Sequence, residues 1–220
     1  MSEIKAVILD LDNTVLDRTS TFRAFAASFV DHYFAHAEHR VKLIEDIVAR
    51  DLDGYKDKPA LFRELLSDYE WTAKPDHEAL MNYYRVHYVK HATLMDQAKN
   101  VLSYLRSKYR TALITNGMTT IQYGKIDQAG IRDDFDLIIV SEEAGVKKPD
   151  PAIFGMATKK FGLTPAQCVY VGDHPVNDIG GAANAGMQTI WLQWTQPWRE
   201  EVKAKPLHTI TRLAQLTNLL

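Results

Sequence analysis

The sequence predicts an α/β protein, a doubly wound parallel sheet into which an all-helical block is set after the first strand. Three observations carry that expectation. Short apolar runs bounded by turn residues alternate with helical patterns over residues 4–10 and 97–193, as in successive strand–helix units. The runs are continuous rather than alternating, as in Ala6-Val7-Ile8-Leu9 and Cys168-Val169-Tyr170-Val171, which marks strands covered on both faces. Residues 18–93, in contrast, read as helical throughout, with no strand pattern.

The strands fall near 4–10, 110–115, 136–140, 168–172 and 188–193, each ending in polar or turn-forming residues. Helices fit near 96–108, 119–129, 151–161 and 176–185, with a last one near 208–219. Asp150 caps the third of these and Pro151 sits in its first turn, where the missing N–H costs nothing. Gly186 supplies the C-terminal stop before the Gln188–Leu192 strand. Within the inserted block, helices fit near 19–36, 38–51, 57–70 and 76–90. The division into domains is therefore 1–17 with 94–220, and 18–93. The sequence carries no internal repeat and no low-complexity segment.

Composition narrows the function classes. The chain has 220 residues, 46% hydrophobic and 25% charged, enough for a sizeable core. A net charge of −2 gives no electrostatic case for nucleic acid or a membrane surface. No apolar run is long enough to span a bilayer, and Met-Ser-Glu-Ile-Lys lacks a signal-peptide apolar region. The single Cys168 excludes an internal disulfide and suits a reducing cytosol, with packing in a strand as its role. Whether the protein is a monomer or a homodimer is left open by the sequence.

The chemistry concentrates at strand ends. Residues 8–16, Ile-Leu-Asp-Leu-Asp-Asn-Thr-Val-Leu, run an apolar strand into Asp10 and Asp12, two apart and so on one face. Carboxylates this close repel unless a cation or a shared proton compensates. One suits a nucleophile and the other a proton carrier, with a divalent ion between them; the plain alternative is a solvated turn. Thr115-Asn116-Gly117 ends a second strand at a helix entrance, where a hydroxyl and backbone N–H groups suit a phosphate oxygen. Lys148 precedes Pro149, which favours an extended backbone and fixes the lysine at another helix entrance. Asp173 and Asp178 follow a fourth strand and fit a hard cation that takes oxygen ligands.

In combination these motifs resemble the haloacid dehalogenase superfamily of phosphohydrolases. DLDNT at Asp10–Thr14, TN at Thr115-Asn116, KPDP at Lys148–Pro151 and GDxxxxD at Gly172–Asp178 occur in the family's order. The likeness continues through Asp178-Ile-Gly-Gly-Ala-Ala-Asn-Ala-Gly-Met187, and Asn13 stands where many relatives have glycine. A Rossmann-like core with a helical cap between the first and second motifs is what the resemblance implies for the fold. For activity it implies Mg²⁺-dependent hydrolysis of a small organic phosphate ester through an aspartyl-phosphate. Asp10 would be the nucleophile and Asp12 the general acid, then base. Mg²⁺ would be held by the Asp10 and Asp173 carboxylates and the Asp12 backbone carbonyl, with Asp178 as a direct or water-separated partner. Thr115, the Asn116 backbone and Lys148 would hold the phosphoryl group. Phosphomutase and phosphonatase chemistry share this core, the latter needing a cap lysine among Lys42, Lys56, Lys58, Lys74 and Lys90. A haloacid dehalogenase has no use for a second acid, and a non-catalytic binding module has no use for four filled motifs.

In the inserted block Arg18 and Arg23 are candidates to face a substrate anion. The histidines His32, His36 and His39, and the cluster Tyr83, Tyr84, His87, Tyr88 and His91, fit the margin of a helical core better than a metal site or a base-stacking surface. Trp191, Trp194 and Trp198 fit the packing of a sheet edge or an interface.

Overall fold

A computed structural model describes residues 3–220. In chain order, β1 (Ala6–Leu9) is followed by α1 (Arg18–Tyr33), α2 (Arg40–Asp51), α3 (Lys58–Asp68) and α4 (His77–His87). Then come α5 (Ala98–Lys108), β2 (Arg110–Thr115), α6 (Thr119–Gln128), β3 (Leu137–Val140), the short α7 (Ser141–Ala144) and α8 (Pro151–Phe161). The chain closes with β4 (Cys168–Gly172), α9 (Gly181–Asn184), β5 (Gln188–Leu192), β6 (His208–Ile210) and α10 (Leu216–Leu219). Two compact units result: the chain up to Asp17 together with Leu94–Leu220, and Arg18–Thr93.

The first unit is an α/β layer structure on one sheet of order β3-β2-β1-β4-β5-β6, every neighbouring pair parallel. β1 is fully buried, and Ile8, Ile114, Phe154 and Tyr170 meet in one core cluster on a face of the sheet. The order reverses at β1: β2 pairs on one side and β4 on the other. The carboxyl end of β1 therefore opens into the crevice where parallel sheets bind ligands. The Asp10 N–H donates to the Val171 carbonyl at 2.9 Å, carrying the β1–β4 pairing one residue beyond β1.

From Leu11 the chain turns back on itself. The N–H groups of Val15 and Leu16 both donate to the Leu11 carbonyl, and that of Asn13 donates to the Leu16 carbonyl. Asn13 has φ 59°, in the left-handed region. Asparagine tolerates that region best among residues with a Cβ, which is the physical reason it can replace glycine here. Leu16 also bridges antiparallel to Leu94, and the Met95 N–H donates to the Val15 carbonyl at 2.9 Å.

The C-terminal segment departs from the expected helix over 208–219. His208–Ile210 adds a sixth strand beside β5, and only Leu216–Leu219 is α-helical, after a 3₁₀ turn at Leu213–Gln215. The Gln215 side-chain carbonyl accepts the N–H groups of Thr211 and Arg212, ending the strand and starting the turn in one step. The helix expected near 176–185 is also modified. It opens as a π-helical turn over Pro175–Gly180, whose first N–H groups, on Val176 and Asn177, donate to His174 Nδ1.

The second unit is all-helical, built on an aromatic core. Phe25 makes edge-on contacts with Tyr84 and Tyr88 at ring-centroid distances of 5.5 and 5.8 Å, and Phe29 packs on Phe62 at 6.0 Å. Tyr84 and Tyr88 are thus core residues. Arg18 is buried and tied to Asp51 at 2.5 Å, and Lys58 reaches the same carboxylate at 2.6 Å. Gly54, at φ +97°, makes room for this guanidinium, since a Cβ there would lie 2.8 Å from Arg18 Nε. Arg23 pairs with Glu45 on the surface. The expectation that Arg18 faces a substrate anion is corrected accordingly, since it fastens α1 to the α2–α3 turn; Arg23 is engaged in an exposed ion pair. Among the described residues no helix is long and apolar enough to cross a membrane.

The left-handed turn after β1 makes a stability prediction. Asn13→Gly changes unfolding free energy by less than about 1 kcal/mol, whereas Asn13→Val lowers it by about 1–3 kcal/mol. Urea denaturation of the three proteins measures the difference, and an equal effect of Gly and Val would exclude the backbone explanation.

Candidate active site

Four chain segments converge at the carboxyl ends of β1, β2 and β4. Asp10 emerges from β1 only 6% exposed. Lys148 Nζ lies 2.5 Å from Asp10 Oδ1, 2.7 Å from Asp178 Oδ1 and 2.9 Å from the Tyr170 hydroxyl. The lysine reaches that point because Asn116, at the end of β2, fixes its backbone. Asn116 Oδ1 accepts the Lys148 N–H at 2.9 Å and Asn116 Nδ2 donates to the Lys148 carbonyl at 3.0 Å. Asp150 then caps α8 by accepting the Ala152 N–H.

Asp178 is held as tightly. Its Oδ2 accepts the His174 N–H at 2.9 Å, and its carboxyl carbon lies where a Cβ on Gly172 would be, 2.5 Å away. Any side chain at 172 would displace Asp178, which accounts for the glycine in Gly172-Asp173. The Asp173 carbonyl accepts the indole N–H of Trp191 at 2.8 Å, anchoring that loop to β5. One carboxylate oxygen from each of Asp10, Asp173 and Asp178 lies within 4.8 Å of the others, all three residues buried.

Three buried carboxylates around one ammonium leave an excess of negative charge. Burial, with Asp178 beside it, pushes the Asp10 carboxyl up to about 7 against the pull of Lys148. Burial alone would lower Lys148, but Asp10 and Asp178 hold its ammonium well above the ordinary value. An oxygen-only donor set with surplus negative charge fits a hard divalent cation.

Asp12 stands apart from this group. Both of its carboxylate oxygens lie 2.6 Å from Lys125 Nζ, and Gln122 Nε2 donates to Oδ2 at 3.0 Å. Asp10 and Asp12 are thus each met by a lysine of their own, Lys148 and Lys125. The Asp12 carboxylate is not among the three clustered carboxylates. Thr115 is buried, and its hydroxyl accepts from Gln122 Nε2, which also approaches the Asn116 carbonyl at 3.2 Å. Gln122 and Lys125 escaped sequence reasoning because they belong to no motif. Their one signal is position: they share the buried stripe of α6 with Ile121 and Ile126, where polar residues are out of place.

The haloacid dehalogenase-like hydrolase family matches residues 4–186. Over 100% of this chain and 94% of its own length, the glyceraldehyde 3-phosphate phosphatase of Pyrococcus furiosus is 28% identical. The human N-acylneuraminate-9-phosphatase is 30% identical over 87% of this chain and 84% of its own. Among solved structures, the HAD-hydrolase YfnB of Bacillus subtilis bound to magnesium superposes with a TM-score of 0.78 at 23% identity, covering 100% of this chain and 99% of that one. The chain belongs to the haloacid dehalogenase-like hydrolases.

The excess charge predicts how pH and metal act together. Asp10 takes up a proton near pH 7 in the metal-free fold but near its ordinary 3.8 when unfolded. Folded Asp10 therefore binds more protons between those values, and its own contribution to metal-free stability falls as pH rises from about 4 to about 7. A divalent cation such as Mg²⁺ seated on these carboxylates would raise the melting temperature more at pH 7.5 than at pH 5. Thermal scans with and without 10-fold to 100-fold Mg²⁺ excess (on the order of the ratios that give a measurable shift) test this, and a larger shift at pH 5 would refute it.

Proposed function

We propose that the protein is a Mg²⁺-dependent phosphatase that hydrolyses small organic phosphomonoesters through an aspartyl-phosphate. The observation that carries this reading is the division between two aspartates two residues apart. Asp10 lies among carboxylates with Lys148 beside it, while Asp12 lies outside that group with its own lysine. Such a pair suits one nucleophile and one proton carrier.

In the first step Asp10 Oδ attacks phosphorus and the ester P–O bond breaks, while Asp12 delivers a proton to the departing oxygen. In the second, Asp12 takes a proton from water, whose oxygen displaces Asp10 and releases inorganic phosphate. Lys148, the Thr115 hydroxyl and the Asn116 backbone hold the phosphoryl oxygens in a preformed cradle. The Asp10 and Asp173 carboxylates and the Asp12 carbonyl, with Asp178 alongside, would hold Mg²⁺, which would supply the positive charge needed for an anionic nucleophile to meet an anionic ester. Residues 18–93 serve as the cap that distinguishes leaving groups, because the assigned core residues address only the phosphoryl group and the metal. The two relatives, named for a triose phosphate and a sugar-acid phosphate, support a small polar ester as substrate. A cytosolic setting belongs to the same proposal and rests on the lone, buried Cys168. Dehalogenase chemistry would leave Asp12 and its buried lysine without a task.

Release of inorganic phosphate from p-nitrophenyl phosphate and from a panel of sugar and triose phosphates decides the reading. Activity is lost in excess EDTA, returns with Mg²⁺, and falls at least about 10³-fold in Asp10→Asn, which lacks the nucleophilic oxygen. Lys148→Ala lowers turnover on every ester in the panel. Full activity of Asp10→Asn, or of the EDTA-treated enzyme, would rule the mechanism out.

A further inference from the structure

We propose that Gln122 and Lys125 are positioning residues for the acid/base step: they fix the Asp12 carboxylate in direction and tie it to the phosphoryl cradle. The inference rests on the reading of Asp12 as proton carrier. Lys125 is only 2% exposed, and a charged side chain is kept from water only when it is paired. Its partner is Asp12, with both oxygens at the same 2.6 Å, so the ammonium straddles the carboxylate symmetrically.

Gln122, one turn earlier on the same face of α6, adds a bond to Oδ2 at 3.0 Å. An aspartate has two free side-chain torsions. Two donors from successive turns of a packed helix fix both. Proton transfer to an ester oxygen needs hydrogen-bond reach, so the direction of the carboxylate sets its efficiency. Gln122 also donates to the Thr115 hydroxyl and approaches the Asn116 carbonyl, so one amide joins the proton carrier to the groups that hold the phosphate. α6 thereby acts as a rigid backing on which the two halves of the site keep a constant separation. A purely structural ion pair, holding α6 to the loop after β1, is the alternative.

The two differ in how a loss depends on the leaving group. Nitrophenolate departs without protonation, whereas an alkoxide requires it. In Lys125→Met, kcat for an alkyl ester such as glycerol phosphate, and the rate of aspartyl-phosphate breakdown, fall about tenfold or more, while phosphorylation of the enzyme by p-nitrophenyl phosphate changes less than about twofold. In an Asp12→Asn background the same substitution adds no leaving-group-dependent loss, because its effect runs through Asp12. Lys125→Arg, which keeps the charge and donors, recovers part of the alkyl-ester rate. Gln122→Met, which also releases the Thr115 hydroxyl, lowers both rates but the alkyl-ester rate several-fold more, and with Lys125→Arg it carries the comparison should Lys125→Met fail to fold. Equal losses for both leaving groups, or a full additional loss in the Asp12→Asn background, would overturn the inference. If Asp12→Asn itself shows no dependence on leaving group, the acid/base reading falls; if it does and the Lys125 and Gln122 variants do not, only the positioning role falls.

Discussion

Charge balance among side chains held out of water is the constraint on which this structure turns. Asp10, Asp173 and Asp178 are buried at the ends of β1 and β4, and each buried carboxylate needs a cation or donors to stay in place. Lys148 meets two of them from the loop before α8, and Lys125 meets Asp12 from α6. Lys148 does not act without support: Asn116 clamps its backbone, and the Tyr170 hydroxyl accepts from its ammonium. Much of the surrounding backbone is arranged for those contacts, including the glycine at 172 and the His174 N–H turned toward Asp178.

The sheet makes this crowding possible. A parallel strand covered on both faces delivers its last residue to the same rim as its neighbours, and β1 sits between β2 and β4. Burial of residues such as Ile8, Ile114, Phe154 and Tyr170, each contributing on the order of 1.5–3 kcal/mol, offsets the unfavourable collection of like charges at the rim. The cost falls where the chemistry is, and the apolar contacts that compensate for it lie beneath.

What the sequence revealed, and what it hid, follows from how local each signal is. The central strands were legible because a continuous apolar run needs no partner to be recognised. β6 was not, since three residues of mixed burial, His208-Thr209-Ile210, become a strand only beside β5. The sequence likewise marked Asp10, Asp12, Asp173 and Asp178 as candidates, each shortly after a strand end, and Lys148 by its place before Pro149 at a helix entrance. Gln122 and Lys125 belong with Asp12 across more than a hundred residues, and no spacing rule connects them. Arg18 shows the converse error: nearness to Asp12 in sequence pointed toward the ester, whereas its partner, Asp51, lies 33 residues on by their numbers. Proximity along the chain marked which residues gather at the strand ends within a motif and misled just outside it.

The antiparallel bridge between Leu16 and Leu94, with the Met95 N–H on the Val15 carbonyl, has a consequence for how such a chain can diversify. The polypeptide leaves the α/β unit and re-enters it at adjoining points, so the closing of that long excursion is secured by the sheet-bearing unit itself. Lengthening or replacing the intervening segment adds only a slowly growing loop-closure cost and leaves the strand register untouched. The intervening segment is in this sense exchangeable, free to vary in length and sequence while the strand ends keep an unaltered frame.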